Sequence, residues 1–203
     1  MTFKILIGGY DGAGKSTLAC SLYVYLCMTG LNVGLHEIDP WSDTHAPLLG
    51  LKSWADRKKN VGYVDADAYN AHIKPFAQDS REIVIGDVQG CYQYEHNHLW
   101  AGLADVAILV SRQPTEKDAW RAEHESRDIP GPQSREGWRQ LFAANGIKTI
   151  LHVDTLLDGQ RQRALADPTD WYFVLRGLDR AVVPFHPGVK QLADILFQLI
   201  SRQ

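Results

Sequence analysis

The sequence predicts a three-layer α/β fold, in which a mostly parallel sheet carries helices on both faces. Short apolar runs of strand length alternate along the chain with longer segments whose apolar residues keep helical spacing. The first apolar run ends in a glycine-rich turn that leads directly into a helix-like segment. Strands separated by helices are joined by right-handed crossovers, and these connections produce a parallel sheet.

Apolar runs bounded by turn residues are typical of buried strands. Phe3 to Ile7, for example, ends in two glycines, and the run at 83–85 consists of Ile, Val and Ile. The predicted strands are Phe3 to Ile7, Asn32 to Ile38, Glu82 to Asp87, Asp105 to Val110, Ile147 to Val153 and Trp171 to Leu175, with a short extra strand at Ala181 to Val183.

Helical spacing of apolar residues, with glycine or proline near the ends, predicts the helices. In the first helix, Leu18, Leu22 and Leu26 fall on one face, and Gly30 is placed to end it. The Pro-Gly-Pro run at 130–132 must be a loop, and we take it as the best candidate for a mobile segment. The predicted helices are Lys15 to Thr29, Asp65 to Ala77, Tyr92 to Gly102, Thr115 to Asp128, Ser134 to Asn145 and a last helix from Pro187.

The composition narrows the class of protein. With 203 residues, 45% of them apolar, the chain can bury a sizeable core, and we expect one domain spanning 1–203. A net charge of -3 without a long basic run gives no support to nucleic-acid binding. Three cysteines show no disulfide pattern, and no apolar stretch reaches the roughly 18 residues of a membrane helix. Without a signal peptide either, a cytoplasmic protein is expected.

A phosphate-binding loop follows the first predicted strand. Residues 9–16 match the pattern G-x-x-x-x-G-K-[ST], between an apolar strand and an amphipathic helix. The glycines let backbone N–H groups turn toward phosphate oxygens, and the helix directs its positive end at them. Lys15 would reach the outer phosphates, and Ser16 would bind Mg²⁺. The predicted nucleotide-binding residues are Gly9, Tyr10, Asp11, Gly12, Ala13, Gly14, Lys15, Ser16 and Thr17.

Two aspartates end other predicted strands. Asp87 ends the third strand, and an acidic residue at the carboxyl end of a parallel strand lies where ligands bind, so we predict it in the magnesium shell. Gly90 would let a backbone N–H approach the terminal phosphate. Asp39 ends the second strand and could orient the attacking water or join the magnesium shell. The predicted catalytic residues are therefore Lys15, Asp39 and Asp87, and the predicted metal ligands are Ser16 and Asp87.

These segments together resemble the SIMIBI class of P-loop NTPases. The resemblance is carried by the phosphate-binding loop and by the segments 37–41, 48–50, 87–90, 104–110, 113–115, 185–187 and 192–193. It implies a P-loop NTPase fold, and an Mg²⁺-dependent ATP-driven switch that acts with a protein partner or as a homodimer. Tyr10 and Asp11 stand where many ATPases of this class carry an extra lysine. The stretch 151–155 lacks the guanine-specific Asn-Lys-x-Asp, so ATP is the expected nucleotide and GTP is the alternative.

A second resemblance leaves a kinase open. Residues 11–17 are similar to the loop of thymidylate kinases, which close an arginine-bearing lid after the fourth strand. Such arginines would stabilise a transferring phosphoryl group. The Asp-Arg pair of those kinases is missing, since Val88 follows Asp87. A nucleotide-dependent binding module with negligible turnover is a third alternative. The arginines in the relevant interval are Arg112, Arg121, Arg127, Arg135 and Arg139.

Two further clusters have alternative interpretations. Cys91, His96 and His98 offer thiolate and imidazole groups suited to zinc or nickel, although their spacing matches no standard zinc pattern. The alternative, which the spacing favours, is two surface histidines beside a buried cysteine. The aromatic residues between the second and third strands suit either a partner site or a packed core. They are Trp41, Trp54, Tyr63 and Tyr69.

Overall fold

The computed structural model describes residues 2–57, 63–100, 102–112, 135–156, 172–176 and 181–202. Six parallel strands form one sheet in the order β2-β3-β1-β4-β5-β6, which confirms the predicted α/β fold. The strands are β1 Phe3–Gly9, β2 Val33–Glu37, β3 Ile83–Asp87, β4 Val106–Arg112, β5 Thr149–Leu156 and β6 Tyr172–Arg176. The α-helices are α1 Lys15–Met28, α2 His45–Leu48, α3 Ala66–Gln78, α4 Arg135–Ala144 and α5 Pro187–Ile200, and 3-10 helices span Trp54–Asp56 and Glu95–Trp100.

Helices cover both faces of the sheet because neighbouring side chains of each strand point to opposite sides. Ile5 and Ile7 of β1 pack in the core shared with α1 and α5, whereas Leu6 packs in the core on the other face. That second core contains side chains of α3 and α4, including Phe76 and Trp138. The three predicted layers are therefore present.

The register brings three strand ends to one level. Ile7 of β1 pairs with Asp87 of β3 on one side and with Ile108 of β4 on the other. Glu37, the last residue of β2, also pairs with Asp87. The loops that follow β1, β2 and β3 therefore leave the sheet side by side at its carboxyl edge.

Two predicted elements were wrong in type. The helix predicted from Tyr92 is a 3-10 helix, Glu95–Trp100, and the Asn97 amide donates to the carbonyls of Cys91 and Tyr92 just before it. A side chain that occupies those acceptors competes with a regular helix. Residues 181–183 form no strand, since the Val183 N–H donates to the Ser21 hydroxyl on α1.

Other boundaries differ by one to three residues. Asp65 precedes α3 rather than beginning it, because its carboxylate accepts from the N–H of Ala68 as an N-cap. Gly30 ends α1 as predicted, with a φ of 90°. The predicted helix at 115–128 and the Pro-Gly-Pro loop lie outside the described residues. No helix of the described ranges is both long enough and apolar enough to span a membrane.

Candidate functional site

The phosphate-binding loop is held tightly against β4. The N–H of Tyr10 donates to the carbonyl of Val110 at 2.9 Å. Gly9 has a φ of 135°, and a Cβ at this position would collide with the same carbonyl. Only glycine therefore fits at the start of the loop. Gly12 and Gly14 also have positive φ values, of 65° and 85°.

Lys15 begins α1 directly after the loop. Its side chain is largely buried, and its Nζ donates to the carbonyl of Tyr10 at 3.1 Å. The residue before it, Gly14, provides no side-chain cap for the helix. The first N–H groups of α1 thus keep the character of an anion-binding helix terminus, with a cation folded back over the loop.

The ends of β4 and β5 support the outer side of the loop. Arg112 donates from Nε to the carbonyl of Asp11 at 3.2 Å, and the Thr155 hydroxyl donates to the carbonyl of Ala13 at 2.8 Å. These contacts point loop carbonyls toward β4 and β5. The N–H groups of Tyr10 and Ala13 bond to the carbonyls of Val110 and Tyr10, so the other amide groups of the loop are the candidates for binding a ligand.

An ion pair lies beside these contacts. Arg135, the first residue of α4, donates to both carboxylate oxygens of Asp154 at 2.9 and 3.1 Å, and Ser111 also donates to Asp154. Burial raises the pKa of Tyr10, and the charge of Arg135 opposes part of that rise. Tyr10 therefore packs near this ion pair as a neutral side chain.

Of the candidate arginines, Arg112 and Arg135 reach the strand ends near the loop. Arg139 instead lines a cavity of about 540 Å³ between α4 and the start of β5, together with Glu136 and Lys148. That cavity lies at the amino end of β5, away from the loop. Arg121 and Arg127 fall outside the described residues.

Asp87 is buried at the end of β3, with 2% of its surface exposed. Its Oδ2 lies 3.0 Å from Nε2 of His45, whereas Oδ1 has no hydrogen-bond partner among the described residues. A buried carboxylate oxygen without a partner is costly, and it requires a water or a cation. Hard oxygen ligands such as this carboxylate and a serine hydroxyl suit Mg²⁺, so the residues present fit the predicted ion.

Asp39 lies in the loop after β2. Its Oδ1 accepts from the N–H of Trp41 at 2.9 Å. Burial raises the pKa of Asp39 to about 6; the charge of Lys15 opposes the rise, and the charge of Asp87 adds to it. The predicted catalytic residues Lys15, Asp39 and Asp87 therefore lie close enough to influence one another electrostatically.

His45 is a site residue that the sequence did not reveal. It begins α2 and is buried. Burial lowers the pKa of His45, but the hydrogen bond and charge of Asp87, with the charge of Glu37, outweigh that effect and raise it overall. No motif marks a histidine at this distance from Asp39. The only hint in the sequence was that His45 comes soon after Asp39, the acidic residue predicted at the end of the second strand.

Gly90 packs against the phosphate-binding loop. A Cβ at Gly90 would lie 2.9 Å from the Cα of Asp11, so a larger residue would push the two segments apart. The backbone at Gly90 therefore lies directly beside the loop at Asp11. Its contact with a terminal phosphate stays a prediction.

The structure does not gather Cys91, His96 and His98 into one site. Among the described residues, no group of three metal-binding side chains is present. The His96 ring packs against Tyr63 and Tyr94, whereas Nδ1 of His98 bonds to a backbone carbonyl in its own turn. Burial raises the pKa of the Cys91 thiol, which disfavours the thiolate that binds metals.

We expect the stability of the nucleotide-free protein to depend on pH through Asp39. Its folded-state pKa is about 6, above the usual value of 3.8. Between these values the folded state holds a proton that the unfolded state has lost, so stability falls as pH rises from about 4 to 6. Urea unfolding of wild type and Asp39→Asn should diverge by about 1 to 3 kcal/mol over this range. Parallel curves would contradict the buried position of this carboxyl.

No protein-family model matches the chain. A cytosolic Fe-S cluster assembly factor NUBP2 homolog of Dictyostelium discoideum is 32% identical over 85 residues, which cover 41% of this chain. The chain spans only 31% of the length of that curated relative.

Solved structures match over more of the chain. A plasmid partition protein from Borrelia burgdorferi has a TM-score of 0.57 at 14% identity and covers 100% of both chains. The septum site-determining protein MinD from Pyrococcus horikoshii OT3, complexed with Mg-ADP, has a TM-score of 0.50 at 19% identity and covers 80% of this chain and 73% of its own.

These structural neighbours are P-loop NTPases of the SIMIBI class, and the chain shares their fold. The fold implied by the first resemblance is thereby confirmed. The resemblance to thymidylate kinases is not shown by the comparisons. At these identities the neighbours define the fold, while the nucleotide, the reaction and the partner are proposals.

Proposed function

We propose that this chain is a single-domain NTPase, in which Mg²⁺-dependent hydrolysis of ATP switches a conformation or a partner contact. One observation carries the proposal. Buried Lys15 begins α1 after the phosphate-binding loop that follows β1, and buried Asp87, whose Oδ1 has no hydrogen-bond partner among the described residues, ends the adjacent strand β3. A phosphate group and a divalent cation are the ligands that this pair of charges suits best.

The residues of the proposed site have distinct roles. Amide groups of the loop 9–17, other than those of Tyr10 and Ala13, would bind phosphate oxygens, and Lys15 would place its charge on the outer phosphates. Ser16 and Asp87 would hold Mg²⁺, which when bound neutralises the charge that develops on the phosphates. Asp39, as a carboxylate above pH about 6, would orient the attacking water.

The proposed nucleotide is supported by proteins that share this fold. A partition protein from Borrelia burgdorferi B31 was solved bound to AMPPNP, with a TM-score of 0.53 at 14% identity, and the MinD structure contains Mg-ADP. ATP is therefore the proposed nucleotide, with GTP as the alternative. We further propose a cytoplasmic protein that works with a protein partner or as a homodimer and does not bind nucleic acid.

One observation keeps kinase activity as a second candidate. Arg112 contacts the phosphate-binding loop through Asp11 and Arg135 begins α4 nearby, so cationic groups border the site on its β4 side. A kinase would use such groups to stabilise the transferring phosphoryl group. In an NTPase that acts as a switch, Arg112 and Arg135 would instead support the phosphate-binding loop and the ends of β4 and β5.

Turnover with γ-labelled ATP separates these functions. We expect release of free phosphate that requires Mg²⁺ and stops with EDTA. Label found on an added nucleoside, nucleotide or small hydroxyl acceptor would show a kinase instead. Tight retention of intact triphosphate over hours, without product, would favour a binding module. Absence of any triphosphate binding would overturn the proposal as a whole.

A further inference from the structure

The two oxygens of the Asp87 carboxylate have different surroundings. Oδ2 is held by the imidazole at 3.0 Å, and Oδ1 is buried without a hydrogen-bond partner among the described residues. Both side chains are buried, so water does not readily replace this hydrogen bond. A carboxylate fixed through one oxygen presents the other in a single direction, as metal sites require.

His45 comes from the segment that also carries Asp39. Glu37, at the end of β2, accepts hydrogen bonds from both the N–H and the hydroxyl of Thr44, at 2.8 and 2.6 Å. These bonds close the loop 38–44 directly before α2. The His45 backbone thus directly follows a residue that is bonded to the end of β2. The His45 ring contacts Asp87 at the end of β3.

We propose that His45 is a positioning residue, which holds Asp87 for Mg²⁺ and couples the ion to the loop carrying Asp39. This inference rests on the proposed function, because it takes Asp87 as part of the magnesium shell. A rearrangement of the loop 38–44 would withdraw the imidazole and loosen Asp87. Binding of the metal would, in turn, favour the closed loop.

The chain contains a matched control pair. His36 on β2 lies 2.6 Å from Asp79, through the same atom types as His45 and Asp87. Asp79 also pairs with Arg81, and it follows α3. Removing the His36 imidazole therefore perturbs an imidazole–carboxylate contact that lies outside the proposed magnesium shell.

The test measures binding of a fluorescent ATP analogue during a titration with Mg²⁺. Mg²⁺ should increase the affinity for the analogue. In His45→Leu, the Mg²⁺ concentration that gives half of this increase should rise by about tenfold or more, which is typical when a metal ligand loses the group that orients it. Affinity in EDTA should stay within about twofold of wild type, since the hydrogen bond of the His45 side chain goes to Asp87 and not to the phosphate-binding loop. His45→Gln keeps an N–H donor and should recover to within about threefold. His36→Leu should behave as wild type.

Other outcomes overturn the proposal. An unchanged Mg²⁺ requirement in His45→Leu would show that His45 only packs in the core. An equal rise of the Mg²⁺ requirement in His36→Leu would show that the effect comes from a general loss of stability. A parallel loss of affinity in EDTA would have the same meaning. His45→Phe keeps a ring of similar size and replaces the leucine variant if that one does not fold. Wild type that binds no ATP analogue would overturn the proposed function itself.

Discussion

Lys15→Ala should lower the affinity for ATP by about 10- to 100-fold. The Lys15 ammonium is buried against the phosphate-binding loop and bonds to the carbonyl of Tyr10. In the complex it would make charge-assisted hydrogen bonds to phosphate oxygens, each worth about 1.5 to 3 kcal/mol. Calorimetric titration of purified protein with ATP and Mg²⁺ measures this change.

Lys190→Ala is the control for this variant, because Lys190 is exposed on α5. It should bind ATP as wild type does. Folding of Lys15→Ala should be nearly intact, since the residue contributes one hydrogen bond worth about 1 kcal/mol to the free protein. Undiminished affinity and turnover in Lys15→Ala would remove the assignment of the loop as a phosphate site.

Asp87→Asn should lower the rate of phosphate release by about 100-fold or more. The charge that holds Mg²⁺ would be lost, and the metal accounts for several kcal/mol of stabilisation in the transition state. The amide keeps the shape of the side chain, and its oxygen can still accept from His45. Steady-state rates at saturating ATP, over a range of Mg²⁺ concentrations, measure the effect.

Stability separates this result from misfolding. Asp87→Asn loses the charge attraction to His45 but keeps the hydrogen bond, and it removes the repulsion from Asp39, so the nucleotide-free protein should still unfold in one cooperative thermal transition. Asp194→Asn, at an exposed position of α5, serves as the matched control. Normal turnover in Asp87→Asn would exclude the carboxylate from the magnesium shell.

The strands and main helices were predictable because their signals are local. Apolar runs such as 83–85 and 106–110 are buried on both sides of the sheet, and the strict pattern of the phosphate-binding loop needs no tertiary information. The strand order was not predictable in this way. It depends on which crossovers pack best, and it places β3, rather than β2, beside β1.

The features that the sequence did not reveal depend on contacts of individual side chains. The His45–Asp87 contact joins residues 42 positions apart, and no spacing rule indicates it. The 3-10 helix Glu95–Trp100 accompanies the contacts of a single side chain, Asn97. The aromatic residues were equally ambiguous: Tyr69 proves to be buried in the core, whereas Trp54 and Tyr63 are exposed. Composition alone does not distinguish these environments.

A crystal structure with Mg²⁺ and a non-hydrolysable ATP analogue tests the proposed site most directly. We expect the phosphates in the loop 9–17, with Lys15 on the outer ones. The ion should lie between the Ser16 hydroxyl and Oδ1 of Asp87, reached directly or through one water, while Oδ2 keeps its bond to His45. A triphosphate bound elsewhere, or an ion whose shell excludes both Ser16 and Asp87, would contradict the proposed site.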